Sequence, residues 1–249
     1  MIKIFIFFLL IGCSSRGLVT DSPELQKRNE SILFEYSDNT GEYLAKREIK
    51  IVKNKLVSRV TILSRDGLQE LETQVSMSKL GTLKNSKDNT LAILPEASQF
   101  KVWFNKELYS SNMRFNPTSK TITTIAKSPS TDKETLKDFK IPKGNYFCFF
   151  SQLPECLKMQ NLLLKAASKS VPIYLIWDSY PYHVEQYENL LDSPLMLATL
   201  TLTEHDKNEY KFALDIGNQI IFYHFDKKLN FVKMFWISQG ISLVNTNKG

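Results

Sequence analysis

Hydrophobic and polar positions alternate with a period of two along most of the chain. Ile32-Leu33-Phe34-Glu35-Tyr36 runs into Asp38-Asn39-Thr40-Gly41, a turn sequence whose Asp and Asn side chains bond their own backbone. Ile49 and Ile51, then Val57, Val60 and Ile62, flank Lys53-Asn54-Lys55, which predicts a hairpin. After the turn Arg65-Asp66-Gly67, the residues Leu71, Thr73, Val75 and Met77 alternate with polar ones, the mark of a half-buried strand. Phe100–Phe104 and Leu108–Phe115 predict two more strands around Asn105-Lys106, and Thr121–Ala126 another. Residues 127–145 are polar with two prolines. They predict a long loop, or a boundary between two strand-rich halves.

The period then changes. Leu157, Leu162, Leu163 and Ala166 fall at helical spacing within Pro154–Ser168, and Pro154 suits a first helical turn, so one amphipathic helix is predicted here. Val171–Trp177 reads as a buried strand and His183–Leu191 as a second, short helix. The period of two returns in Met196–Thr203. Tyr210–Ile216 and Gln219–Phe225 form a hairpin around Gly217-Asn218, and Asp226-Lys227-Lys228 leads into Asn230–Ile237. Consecutive strands with short connections predict an antiparallel meander, and the lack of strand–helix alternation argues against a parallel α/β sheet. The order of elements resembles the lipoprotein-carrier folds of the bacterial envelope, in which an open, strongly curved sheet covers an apolar cavity with helices as a lid. It equally resembles uncharacterised envelope families built of long meanders with one mid-chain helix. The fold class expected is mainly β (β-rich α+β): a curved antiparallel sheet with one or two packed helices.

The first residues follow a different pattern. Lys3 precedes the unbroken apolar run Ile4–Ile11, too short to cross about 30 Å of hydrocarbon but suited to an export signal. Leu10-Ile11-Gly12-Cys13 resembles the lipobox of bacterial lipoproteins. The resemblance implies diacylglycerol transfer to the Cys13 thiol, cleavage after Gly12, and acylation of the new amino terminus by a fatty acid such as palmitate. Two or three acyl chains anchor stably, because each buried methylene contributes about 0.8 kcal/mol. The expected organisation is a signal peptide over 1–12, a lipid-anchored tether over 13–30 and a β-rich domain over 31–249. Ser14-Ser15 follow Cys13 with no Asp beside it. In a Gram-negative host that pattern implies the outer membrane, facing the periplasm.

Composition adds bounds. The chain has 249 residues, 43% hydrophobic and 12% aromatic, enough for one sizeable core or two small ones. No other apolar run approaches 18 residues, so no further span is expected. A net charge of +6 is too modest to argue for nucleic acid as a partner. Lys and Arg outnumber acids over 91–170, and acids outnumber them over 171–249, so the basic middle faces either anionic headgroups or plain solvent. With Cys13 lipidated, Cys148 and Cys156 remain. In an oxidising envelope they form a disulfide, or else they are two buried free thiols; both readings stand.

Motifs for chemistry are sparse. No G-x-S-x-G elbow, phosphate cradle, dinucleotide fingerprint or calcium loop is present, so no cofactor is expected. The three histidines are His183, His205 and His224. His205 and His224 read as strand-end and sheet-face residues. His183 closes the stretch Trp177-Asp178-Ser179-Tyr180-Pro181-Tyr182-His183, the best local candidate for a polar site. His183-Val184-Glu185-Gln186-Tyr187-Glu188 departs from H-E-x-x-H, and a helix would turn His183 and Glu188 apart, so no metal is expected. Phe100, Trp103, Phe147, Phe150, Phe225, Phe231 and Trp236 belong to a rich aromatic set that either fills a core or lines a cavity for an apolar ligand. Trp103, Trp177, Asp178, Tyr180 and His183 are the candidate ligand-facing residues. The expected function is a non-catalytic binding or accessory module, held to a membrane by its lipid, for an apolar ligand or another envelope protein. The alternatives are a structural or assembly component of the envelope, and an envelope hydrolase using His183.

Overall fold

A computed structural model describes residues 29–82, 91–104, 107–128, 133–144, 146–182 and 193–246. The first eight strands run as a meander: β1 (Asn29–Asp38), β2 (Gly41–Val52), β3 (Lys55–Leu63), β4 (Glu70–Thr82), β5 (Leu91–Phe104), β6 (Glu107–Asn116), β7 (Thr121–Lys127) and β8 (Thr135–Lys140). A short β9 (Phe147–Phe149), a 3-10 turn at Phe150–Gln152, α1 (Leu153–Met159) and α2 (Leu162–Ala166) follow. The chain then continues through β10 (Val171–Ile176), β11 (Leu195–His205), β12 (Glu209–Ile216), β13 (Gln219–Asp226), β14 (Phe231–Trp236) and β15 (Ile241–Asn245). All fifteen strands share one sheet, because β1 pairs antiparallel with β15 and so joins the eight-stranded meander to the C-terminal strands. The sheet is open, ending in β8 on one side and β9 on the other.

The turns explain the register. Lys53 and Asn54 both adopt positive φ, 47° and 59°, the left-handed pair that a two-residue hairpin needs to match strand twist. Asp38 Oδ1 accepts the Thr40 and Gly41 amides at 2.8 and 3.1 Å, and Asp226 Oδ1 accepts the Lys228 and Asn230 amides at 2.8 Å each.

The two halves of the sheet fold toward each other around the segment that joins them. Leu153, Leu157, Leu162 and Leu163 of the helices pack in one core with Ile49 and Leu56 on one side and Leu175, Phe212, Tyr223 and Trp236 on the other. Farther along, Phe149, Ile176 and Tyr180 pack on Met113 and Ile122, so the β9–β10 end of the sheet lies over β6 and β7.

Four local expectations are corrected. The loop expected over 127–145 contains β8, which pairs with β7 but buries almost nothing. Its three lysine-and-acid positions among six residues hide the strand period, a common dress for an edge strand. The single helix expected over Pro154–Ser168 is two, broken where Asn161 turns left-handed at φ 56°. β9 pairs parallel with β10, giving one strand–helix–strand unit in an otherwise antiparallel sheet, too short at three residues to carry a period. In β4 the faces are reversed. Leu71, Thr73, Val75 and Met77 are only half-buried, while Gln74, Ser76 and Ser78 are buried, because the enclosed segment supplies their polar partners. The helix expected at His183–Leu191 lies outside the described residues.

Candidate functional site

Small side chains on the concave face decide where the enclosed segment can sit. Ser58, Ser76 and Ser98 are cross-strand neighbours on β3, β4 and β5. All three are buried, and their size lets the Phe150–Gln152 turn and the residues after β10 approach the sheet closely. Ser151 Oγ donates to Ser76 Oγ at 3.0 Å, and Ser78 Oγ donates to Gln152 Oε1 at 2.5 Å. The Gln152 amide donates to the Leu56 and Ser76 carbonyls at 3.3 and 2.7 Å. Asp178 is the hub. Its Oδ2 accepts from Ser76 Oγ at 2.5 Å and from Ser151 Oγ, and its carbonyl accepts from Ser98 Oγ at 3.2 Å. Burial pushes the Asp178 carboxyl up, while the serine hydroxyls pull it down.

One step along the strands the serines give way to a void. Arg47 and Gln74 flank Val60 in one cross-strand row, and Ala45, Ile62, Glu72 and Val102 form the next. These rows line a cavity of about 380 Å³, closed on the far side by Phe150, Tyr223, Phe231, Met234 and Trp236. Asn39 and Thr40 of the β1–β2 turn, Trp103 near the end of β5, and Gln239 before β15 also line it. The cavity therefore opens at the end of the sheet where those connections lie. Gly240 closes this rim at φ 67°, a left-handed conformation that favours glycine, and a Cβ there would also push the Asn39 side chain aside.

Arg47 lies between the cavity and the helix. Its Nη1 donates to Glu155 Oε1 at 2.7 Å, its Nη2 donates to Glu155 Oε2, and Nη2 also reaches the Ser151 carbonyl at 2.8 Å. The guanidinium is 5% exposed and Glu155 15%. This bidentate pair ties β2 to α1 and so fixes the wall of the cavity.

The sequence candidates separate. Trp103 lines the cavity and is exposed at its rim. Trp177, Asp178 and Tyr180 do not line it, because packing claims them. Trp177 stacks on Trp236 at 5.4 Å and donates to Met196 Sδ, Asp178 holds the serines, and Tyr180 meets Phe139 edge-on and accepts from Lys137. His183 lies outside the described residues. Arg47, Glu72 and Gln74 line the cavity without having been singled out, and so does Tyr182, which belonged to the candidate stretch but not to the ligand-facing set. Arg47 did leave a signal, a charge at an inward position in the alternating run Tyr43, Ala45, Arg47, Ile49. The aromatic set divides: Phe150, Phe231 and Trp236 line the cavity, and Phe100 and Phe225 are buried core.

Cys148 and Cys156 are bonded, Cα atoms 5.9 Å apart, which pins α1 to β9. His224 Nδ1 lies 3.0 Å from Glu209 Oε1, away from the cavity, with its pKa lowered chiefly by burial. Among the described residues no group of three His, Cys, Asp or Glu side chains is placed to hold a metal, and no helix is long and apolar enough to cross a membrane. No protein-family model, curated protein or solved structure matches the chain.

Proposed function

We propose that this chain is a lipid-anchored envelope lipoprotein, tethered through Cys13, whose β-rich domain holds an apolar ligand without transforming it. The observation that carries this reading is the cavity. Its volume of about 380 Å³ falls in the range of small-molecule sites, roughly 300–1,000 Å³. Aromatic and aliphatic side chains dominate its wall, and the buried polar groups behind it are paired with one another. The rim supports uptake from an apolar phase. Leu68, Trp103 and Ile237 are exposed large hydrophobics on or beside the connections at the mouth end. Exposed apolar groups beside an opening suit contact with a membrane or with a hydrophobic partner.

Native mass spectrometry of the protein recovered from its own envelope, before and after organic extraction, tests the proposal. A bound species that leaves with the solvent, and that is missing in Val60→Trp, is the expected result. A clean unliganded mass for both proteins refutes it.

A second reading, docking on another envelope component, draws on β8. Among the described residues that strand ends the sheet with one hydrogen-bonding edge unpaired, and Leu136 on it is exposed. Crosslinks from β8 to a partner protein, with no extractable ligand, favour it.

A further inference from the structure

The cavity wall has a charge imbalance that an apolar ligand alone leaves unused. Among the described residues its acidic members are Asp38 and Glu72, and its cationic member is Arg47. Arg47 is neutralised by Glu155, which does not line the cavity. Glu72 has no hydrogen bond or ion pair among the described residues, although it is half-buried. A second polar group points the same way. Gln74, two residues along the same face of β4, lines the cavity at 5% exposure, and its Nε2 has no hydrogen-bond partner among the described residues. A buried donor without a partner is costly and rare, and a small turn of the Gln74 amide toward the cavity it lines would give it an acceptor from outside the chain. The rings of Tyr36, Tyr43, Trp103 and Tyr182 share this part of the wall. Aromatic faces around a carboxylate attract ammonium groups, and quaternary ones best of all.

We propose that the cavity binds a cationic amphiphile, an alkyl chain joined through an ester or amide to an ammonium group, with the ammonium against Glu72 and the linking oxygen accepting from Gln74 Nε2. This rests on the apolar-ligand reading above and narrows it to one headgroup class. Fatty acids and other anionic amphiphiles would meet Asp38, and Glu72 wherever it is ionised, as like charges. The Glu72 carboxyl is pushed up to about 8, first by burial and then by Asp178 and Asp38. Among the described residues the other titratable groups facing this region are Tyr36, Tyr43, Tyr109, Tyr182 and the Glu155-paired Arg47. A bound cation therefore drives a proton from Glu72 into solvent at neutral pH, and binding strengthens as pH rises through 8.

The test uses the full chain in nanodiscs of digalactosyl-diacylglycerol, an uncharged lipid. It is titrated with octanoylcholine, with 3,3-dimethylbutyl octanoate and with octanoate, and read by tryptophan fluorescence against empty nanodiscs. The first two probes share shape and ester and differ only in charge. At pH 8.5 octanoylcholine is expected to bind about tenfold tighter than its uncharged isostere, as one ion–aromatic site gives. Glu72→Gln should cut this preference to the few-fold that the aromatic faces alone give. In the unmodified protein the preference should shrink as pH falls from 9 to 6, although the probe's own charge is fixed. That arm needs no variant to fold. Equal binding of cation and isostere by the unmodified protein overturns the headgroup inference and leaves the apolar cavity standing. A preference undiminished by Glu72→Gln overturns it as well. No binding of any probe overturns both readings.

Discussion

The Arg47–Glu155 pair sets the cavity wall, and its removal has a calculable asymmetry. Breaking a buried ion pair from one side costs about 3–5 kcal/mol, because the remaining charge stays desolvated. Arg47→Met leaves Glu155, which at 15% exposure still meets some water, and deprives the Ser151 carbonyl of its donor. That places the loss near the lower bound, about 3 kcal/mol. Glu155→Leu strands a guanidinium at 5% exposure, so its cost lies nearer 5 kcal/mol. In Arg47→Met/Glu155→Leu no charge is left uncompensated, and the double variant should be more stable than either single one, within about 1 kcal/mol of the parent. Urea unfolding followed by tryptophan fluorescence and by far-ultraviolet circular dichroism measures all four proteins. With a slope of about 3 kcal/mol per molar, the singles shift their midpoints by about 1 M or more. Additive losses in the double variant, or singles costing under 1 kcal/mol, refute the account of this pair as a buried, mutually dependent contact.

Three further outcomes are expected. Thiol labelling of the unfolded chain should find Cys148 and Cys156 reactive only after reduction, and their joint replacement by Ala should cost about 2.5 kcal/mol for so short a loop; equal labelling with and without reductant sinks the bridge. Ser76→Leu should overpack the contact between β4 and the enclosed Ser151 and Asp178, costing at least about 1–3 kcal/mol by thermal unfolding, whereas Val75→Leu on the opposite face should change little. Cells fed an alkyne-bearing palmitate should label the chain and leave Cys13→Ser unlabelled; label on the variant argues against acylation at Cys13.

Much of the strand framework was legible because alternation and turn chemistry are local. Lys53-Asn54 and Gly217-Asn218 mark hairpins through residues that tolerate positive φ, and the strands around them follow. The site was less legible, since it depends on what is enclosed. Ser58, Ser76 and Ser98 look like solvent-facing positions until Ser151 and Asp178 lie against them. The aromatic stretch from Trp177 drew attention as a ligand surface, yet only its Tyr182 lines the cavity, while Trp177, Asp178 and Tyr180 are the packing that holds the enclosed turn in place. Glu72 and Gln74 sit on the polar side of an ordinary alternating strand, and nothing local tells an inward carboxyl from a solvated one. The pairing of β1 with β15 joins residues more than two hundred apart, beyond any window of periodicity.

The direction of β1 has a mechanical consequence for a chain anchored at Cys13. β1 enters the sheet at Asn29 and runs toward the β1–β2 turn, so the chain joins the domain at the end opposite the mouth. Ten residues of strand put about 34 Å between those ends. A linker as long as that from Cys13 to Asn29 reaches about 55 Å at full extension and on the order of 20 Å as a random coil. Were the chain anchored at Cys13 with its linker at coil dimensions, the opening would point away from the anchoring bilayer, toward whatever crosses the aqueous space. Bringing it down onto the bilayer means inverting the domain and drawing the leash well past its relaxed length, so the length of this arm sets which surface the mouth meets more often.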